Sequence, residues 1–226
     1  GGTITSFGGT GSTNYTAIFT PAVGYTGVGV VEIPVGVFGD AAGNLSTSVY
    51  ALPLPLTVDT VSPTAVVSTD KPGVLKAGES ATLTFVVSEG VSDFTGADVV
   101  VDGGTAVGTI TNFGLWAGGL NQYTATFTPQ SNSTSTAAVI RVAAGSFRDA
   151  AGNPNTAVAP LRVALDTVSP TAVLSSSVTA LNASTTALIS ITLSEASATF
   201  DANDLNVLGG TITSFGGTGS TNYTAI

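Results

Sequence analysis

Apolar residues alternate with Thr and Ser along most of this chain. The clearest runs are Ala81-Thr82-Leu83-Thr84-Phe85-Val86-Val87, Tyr123-Thr124-Ala125-Thr126-Phe127 and Ala187-Leu188-Ile189-Ser190-Ile191-Thr192-Leu193. A period of two with β-branched residues marks strands that bury one face. Gly, Pro and Asn interrupt the pattern every eight to twelve residues or so. No apolar stripe of helical period with caps is present. Between Asp59 and Leu165 the pattern predicts strands near Ala65–Ser68, Ala81–Ser88, Asp98–Val101, Gly108–Phe113, Gln122–Phe127, Ala138–Ala143 and Val158–Leu165. The expected core takes Val66, Leu83, Phe85, Val87, Phe94, Val99, Val101, Phe113, Tyr123, Phe127, Ile140, Val142, Phe147 and Leu161.

The pattern repeats. Gly1 through Ile18 returns unchanged as Gly209 through Ile226. Asp59-Thr60-Val61-Ser62-Pro63-Thr64 returns as Asp166-Thr167-Val168-Ser169-Pro170-Thr171, and Phe38-Gly39-Asp40-Ala41-Ala42-Gly43-Asn44 as Phe147-Arg148-Asp149-Ala150-Ala151-Gly152-Asn153. The period therefore holds two diverged units of about 100 residues, a common domain size. Residues 59–165 form a complete unit. Residues 1–58 are the C-terminal part of a unit, and residues 166–226 the N-terminal part of one. Both cuts fall inside motifs, so the polypeptide is expected to continue at both ends; completion by neighbouring copies is the alternative. About seven short strands per unit fit an all-β fold of tandem immunoglobulin-like sandwiches, one complete and two partial, although other sandwiches share the pattern.

Composition narrows the chemistry. The chain has no Cys, His or Met, which excludes disulfides and thiol or imidazole catalysis. Its net charge is −9, and its only cations are Lys71, Lys76, Arg141, Arg148 and Arg162. Neither nucleic acid nor an anionic membrane is an expected partner for such a surface. No apolar run is long enough for a membrane span.

Several motifs stand in the same order in both units. Asp-Thr-Val-Ser-Pro-Thr is followed by Ala77-Gly78-Glu79, Val87-Ser88-Glu89, Phe94-Thr95-Gly96-Ala97-Asp98-Val99, Gly103-Gly104-Thr105, Tyr123 through Pro129, and Asp149-Ala150-Ala151-Gly152-Asn153. This order resembles the bacterial Ig-like repeats of giant surface adhesins and biofilm-associated proteins, across the whole chain in permuted order. The resemblance implies an extracellular β-sandwich on the bacterial cell surface, strung into a rod and often calcium-dependent.

Strand alternation in a sandwich brings the start of the first strand, the loop between the second and third strands and the loop between the last two strands to one pole. That pole collects Asp59, Glu89, Asp93, Asp98, Asp149 and Asn153 in one unit. In the other it collects Asp166, Glu195, Asp201, Asp204, Asp40 and Asn44. Oxygen ligands without His or Cys suit Ca²⁺. The candidate ligands are Glu89, Asp98 and Asp149, and Glu195, Asp204 and Asp40, with Asn153 and Asn44 adding oxygens and Asp59 and Asp166 at the linkers. The alternative is structural. Asp-Ala-Ala-Gly-Asn is an ordinary turn in which Asp caps loop amides, and the other acids cap neighbouring donors.

Three functional classes follow. Catalysis is not expected, because a carboxylate pair repeated in both units would lie under the preceding domain. A glycan- or protein-binding module acting by avidity would use Trp116, whose Gly-rich turn has no aromatic counterpart in the other unit; Trp116 is otherwise a loop residue packed on its own sheet. A structural spacer is the preferred reading. The linkers Pro53–Pro63 and Ala159–Pro170 are proline-rich and read as stiff, with neighbouring repeats or adjacent copies as partners. A laterally assembled filament or sheath is a variant, since few lysines protect the strand edges. The Asn-Xaa-Ser/Thr patterns at Asn14, Asn44, Asn132, Asn182 and Asn222 fit chance in so Thr-rich a chain.

Overall fold

The structure, a computed structural model, describes residues 1–9, 13–47 and 54–226. Thr10 and Gly11, expected in a connecting turn, and Pro53, expected in the first linker, lie outside the described residues. The chain divides into two units, Gly1–Thr167 and Val168–Ile226.

The first unit opens with two antiparallel pairs. Strand β1 (Gly2–Gly8) pairs with β2 (Thr16–Pro21), and β3 (Thr26–Val31) with β4 (Leu54–Asp59). There follow β5 (Ala65–Thr69), β6 (Leu75–Lys76), β7 (Ala81–Val87), β8 (Val99–Val101), β9 (Gly108–Leu115), β10 (Gln122–Pro129), β11 (Ala137–Val142) and β12 (Leu161–Asp166). These form two sheets, β5-β7-β10-β9 and β6-β12-β11-β8. The order is the ABED and CFG arrangement of an immunoglobulin-like sandwich, with β6 as an added edge parallel to β12.

The alternating pattern explains the core. Leu83, Phe85 and Phe127 come from one sheet and Ile140, Val142 and Val163 from the other, all buried. Between them lies Phe94, whose ring centroid is 4.6 Å from that of Phe147 and 4.9 Å from that of Phe113. Each buried aromatic of this kind contributes about 1.5–3 kcal/mol by leaving water.

Three departures from expectation have local causes. Val66 is 68% exposed, because β5 turns Ala65 and Val67 inward instead. Strand β6 is only two residues long, too short to show a period, yet its Leu75 is 1% exposed. The last strand starts at Leu161 and not at Val158, since Pro160 has no N–H to give a ladder.

The second unit holds β13 (Ala172–Ser176), β14 (Ile189–Leu193), β15 (Phe215–Gly216) and β16 (Asn222–Ala225), in the sheet order β13-β14-β16-β15. The registers copy those of the complete sandwich. Ala172 faces Leu193 as Ala65 faces Val87, and Ile191 faces Tyr223 as Phe85 faces Tyr123. Ile191, Leu193, Tyr223 and Ala225 are buried, flanked by Phe200, Leu205 and Phe215. Residues 205–207, the counterpart of β8, form no strand. Among the described residues no helix is long and apolar enough to cross a membrane.

Candidate cation site and joint

Asp59 closes β4, Glu89 lies two residues past β7, and Asp149 sits in the loop between β11 and β12. Their carboxylates offer oxygens that all lie within 4.8 Å of one another. Two oxygens about 2.4 Å from one Ca²⁺ are at most about 4.8 Å apart, so the spacing suits a shared ion. Asp149 is buried, and Asp59 and Glu89 are half-buried. The donors are hard oxygens only, and the set fits calcium better than a transition metal.

The three carboxylates differ in how they are held. Asp149 is fastened by its own loop: its Oδ1 accepts from the Ala151 and Asn153 amides at 2.9 and 2.8 Å. Its Oδ2 accepts from Asn153 Nδ2 at 2.8 Å. Gly152 turns the loop at φ 91°, in the left-handed region that favours glycine. Burial pushes the Asp149 pKa up, but hydrogen bonds from Asn153, Ala151 and Gly152 outweigh it and leave the carboxyl below its ordinary value. Asp59 Oδ1 accepts from Thr26 Oγ1 at 2.9 Å and from the Val61 amide at 3.1 Å. For Glu89, burial and then the charges of Asp59 and Asp149 raise the pKa.

The other expected ligands go elsewhere. Asp98 is not among the carboxylates brought within that distance. Its Oδ2 accepts from the Thr95 amide and hydroxyl at 2.8 and 3.0 Å, capping a single 3₁₀ turn at Gly96–Asp98. Asp204 does the same for Asp201, accepting from its amide at 2.9 Å. Asp40 reproduces the Asp149 loop: its Oδ1 accepts from the Ala42 and Asn44 amides, and its Oδ2 from Asn44 Nδ2, all at 2.9 Å. The side-chain bond from Asn44 leads in holding its pKa down. Asp40 and Asn44 belong to the first unit and Glu195 to the second. Asp166 ends β12, exposed, in register with Lys76. Asn153 contributes through Nδ2, which also donates to the Asp59 carbonyl at 3.0 Å.

That last bond is one side of a joint. On the other side Thr60 Oγ1 accepts from the Tyr25 amide at 2.9 Å and donates to the Ala22 carbonyl at 2.7 Å. The Thr60 amide donates to the Tyr25 carbonyl at 2.9 Å. Further along, the Thr156 amide donates to the carbonyl of buried Pro63 at 3.0 Å. The segment Asp59–Pro63 is thus hydrogen-bonded both to residues 22–25 and to the loop of the following sandwich. An open groove beside it is lined by Pro21, Thr57, Val58, Asp59, Ala150 and Ala151.

The second Asp-Thr repeats half of this device. Thr167 is 1% exposed; its Oγ1 accepts from the Ser133 amide at 3.0 Å, and its carbonyl accepts from the Asn132 amide at 3.0 Å. The two threonines were not singled out from sequence. The signal was their invariant place after Asp in both linkers.

Trp116 is 46% exposed, and its indole lies over Gly118, where any Cβ would collide with the ring. Among the described residues the Arg141–Asp102 pair is the one salt bridge, on the surface of β11.

The sandwich topology, the repeated loops and the paired linkers define a module of tandem Ig-like type. The chain belongs to the bacterial Ig-like domain family, whose model matches residues 59–164 and again residues 166–226. No curated protein matches the chain.

Proposed function

We propose that this chain is a spacer repeat of an extracellular bacterial surface protein of the adhesin or biofilm type, without catalytic activity of its own. Residues 59–165 act as one module, with 1–58 and 166–226 as parts of its neighbours in the array. The observation that carries this reading is the joint at Asp59–Pro63. A linker hydrogen-bonded on both sides through Thr60 and Asn153, and ended by a buried proline, resists bending. A binding module would use Trp116 as its recognition group, but that side chain, although 46% exposed, packs over Gly118 of its own turn.

Calcium is the second part of the proposal. Asp59, Glu89 and Asp149 would supply carboxylate oxygens at the same joint, and an ion there would neutralise charges that now face one another. Bridging the linker, the loop after β7 and the loop between β11 and β12, it would stiffen the joint further.

Small-angle scattering of the chain tests the spacer reading. One set of dimensions is expected for the native chain, and a broadened distribution for the double variant Thr60→Val/Asn153→Ala. Scattering typical of freely jointed bodies in the native chain would remove the reading. The melting temperature, followed with calcium and then with chelator, tests the ion. A rise with calcium that Glu89→Gln abolishes is expected; a temperature unmoved by either addition removes calcium from the proposal.

A further inference from the structure

The chain enters and leaves the complete sandwich at opposite poles. Strand β5 starts where β7 ends, since Ala65 faces Val87 and Thr69 faces Leu83. Strand β6 runs the same way as β5: the Glu79 amide donates to the Lys76 carbonyl, Gly78 turns at φ 82°, and the chain returns as β7. Strand β6 is parallel to β12, with Leu75 facing Leu165 and Lys76 facing Asp166. So β12 ends at the pole where β7 begins. Tension between Asp59 and Thr167 therefore draws entry and exit apart along the strands. It loads the rungs between β6 and β12, which run from strand to strand, in shear.

Both ends are also tied to both sheets. At the entry the Thr64 amide donates to Ser88 Oγ and the Ser88 amide to the Thr64 carbonyl, each at 2.9 Å, just past β7 of one sheet. The Pro63 carbonyl accepts from the Thr156 amide, in the loop that leads to β12 of the other sheet. At the exit the Thr167 carbonyl accepts from the Asn132 amide at 3.0 Å. The Thr167 hydroxyl accepts from the Ser133 amide and donates to the Ser133 carbonyl, at 3.0 and 3.3 Å. Asn132 and Ser133 lie between β10 of one sheet and β11 of the other. Pro63 and Thr167 are buried, so water does not compete at either tie. We propose that the sandwich of residues 59–167 is a tension-bearing device. The ties at Pro63–Thr64 and Thr167 pass load from each end into both sheets, and β6 stops the rupture that begins at β5 by holding β12 in shear. This gives a part to a strand of two residues that adds one buried side chain, Leu75, to the core. The proposal rests on the spacer reading, which it deepens from a stiff rod to one built to be pulled. A module that yields easily overturns it and leaves the stiffness of the joint, read by scattering, untouched.

The chain has no cysteine, so handles for optical tweezers can be placed in chosen pairs. One full-length variant carries them at Val61→Cys and Val168→Cys, both exposed positions, and is pulled in shear. A second carries them at Ala77→Cys, also exposed, and Val168→Cys. There the neighbouring ends of β6 and β12 are drawn apart and the pair opens rung by rung. The sandwich and its stability are the same, and only the direction of load differs. In shear, two events are expected: release of residues 61–74, a gain of at most about 50 Å, then opening of the sandwich. The force of that opening is expected to exceed the force in the second direction about twofold or more. Ser88→Ala should lower the force of the first event alone, and Thr167→Val should lower the opening force in both directions. Equal opening forces in the two directions overturn the proposal. So does a Ser88→Ala record in shear that matches the native one.

Discussion

One eighteen-residue sequence occurs twice in this molecule and folds differently each time. In residues 1–18 it supplies the long strand β1, and Ser6 takes a left-handed φ of 52° where the register shifts. Its Tyr15 is 49% exposed and stacks on Phe7 with centroids 5.6 Å apart. In residues 209–226 the same sequence gives only the short strands β15 and β16, Ser214 has no positive φ, and Tyr223 is 2% exposed. The neighbours make the difference. Tyr223 lies between β14 and the ring of Phe200, and its hydroxyl donates to the Ser197 carbonyl at 2.8 Å. Strand β1 is long because Gly2, Thr3 and Ile4 pair with Pro21, Thr20 and Phe19, beyond the shared sequence. Local propensity is identical, so the surroundings of each copy set the burial of its tyrosine.

The largest expected effect separates the two copies directly. Tyr223→Ala removes a buried ring and a hydrogen bond, at a cost of about 3–5 kcal/mol. That is enough to unfold a sheet with so small a core. Tyr15→Ala removes a half-exposed ring, at a cost below about 1 kcal/mol. Hydrogen exchange of the β14 amides should collapse in the first variant and stay native in the second. Equal effects would show that the two tyrosines have the same surroundings in solution.

What the chain's pattern revealed, and what it hid, follows the same division. Strands β7, β10 and β11 were legible because period-two alternation is written in their own residues. Glu89 and Asp149 were legible as loop acids at one pole. Asp98 was read with them, but its nearest donors are its own Thr95 amide and hydroxyl, and a local cap wins over a distant cluster. Asp-Ala-Ala-Gly-Asn was legible as a turn, and both copies adopt it with the same hydrogen bonds. Thr60 and Thr167 were hidden, because one more threonine in a Thr-rich chain has no contrast until its partners 34 or 35 residues away come into place. Strand β6 was hidden because its ladder comes from β12.

The two joints offer a second contrast, of intermediate size. Thr167 is fully buried, so Thr167→Val leaves the Ser133 amide without its acceptor, at about 1–3 kcal/mol. Thr60 is only half-buried, and water can replace its hydroxyl, so Thr60→Val should cost about 0.5–1.5 kcal/mol. Urea unfolding followed by the single tryptophan, Trp116, reads both on one scale. A larger loss for Thr60 would mean that the first linker, not the second, is the more tightly held.

The smallest effect sharpens the distinction between local chemistry and context at one site. Asp149 owes its lowered pKa to its own loop, against the burial that raises it. It therefore stabilises the fold above the ordinary carboxylate range, and that contribution is lost as pH falls through its lowered folded value. Glu89 is the reverse. Burial first, then Asp59 and Asp149, raise its pKa, so the folded chain holds this proton more tightly than the unfolded chain. Its contribution favours folding below the ordinary Glu value and is lost as pH rises through the raised one. In chelator, Glu89→Gln should therefore raise the urea midpoint at neutral pH and change little in acid, where native Glu89 is already protonated. Asp149→Asn should lower the midpoint at neutral pH, since an amide cannot accept all the loop's donors in the same way. With calcium added, the Glu89→Gln gain should vanish or reverse, because a ligand is lost together with a repulsion. A Glu89→Gln variant that is less stable than the native chain at neutral pH without calcium would mean that the three carboxylates do not face one another in solution.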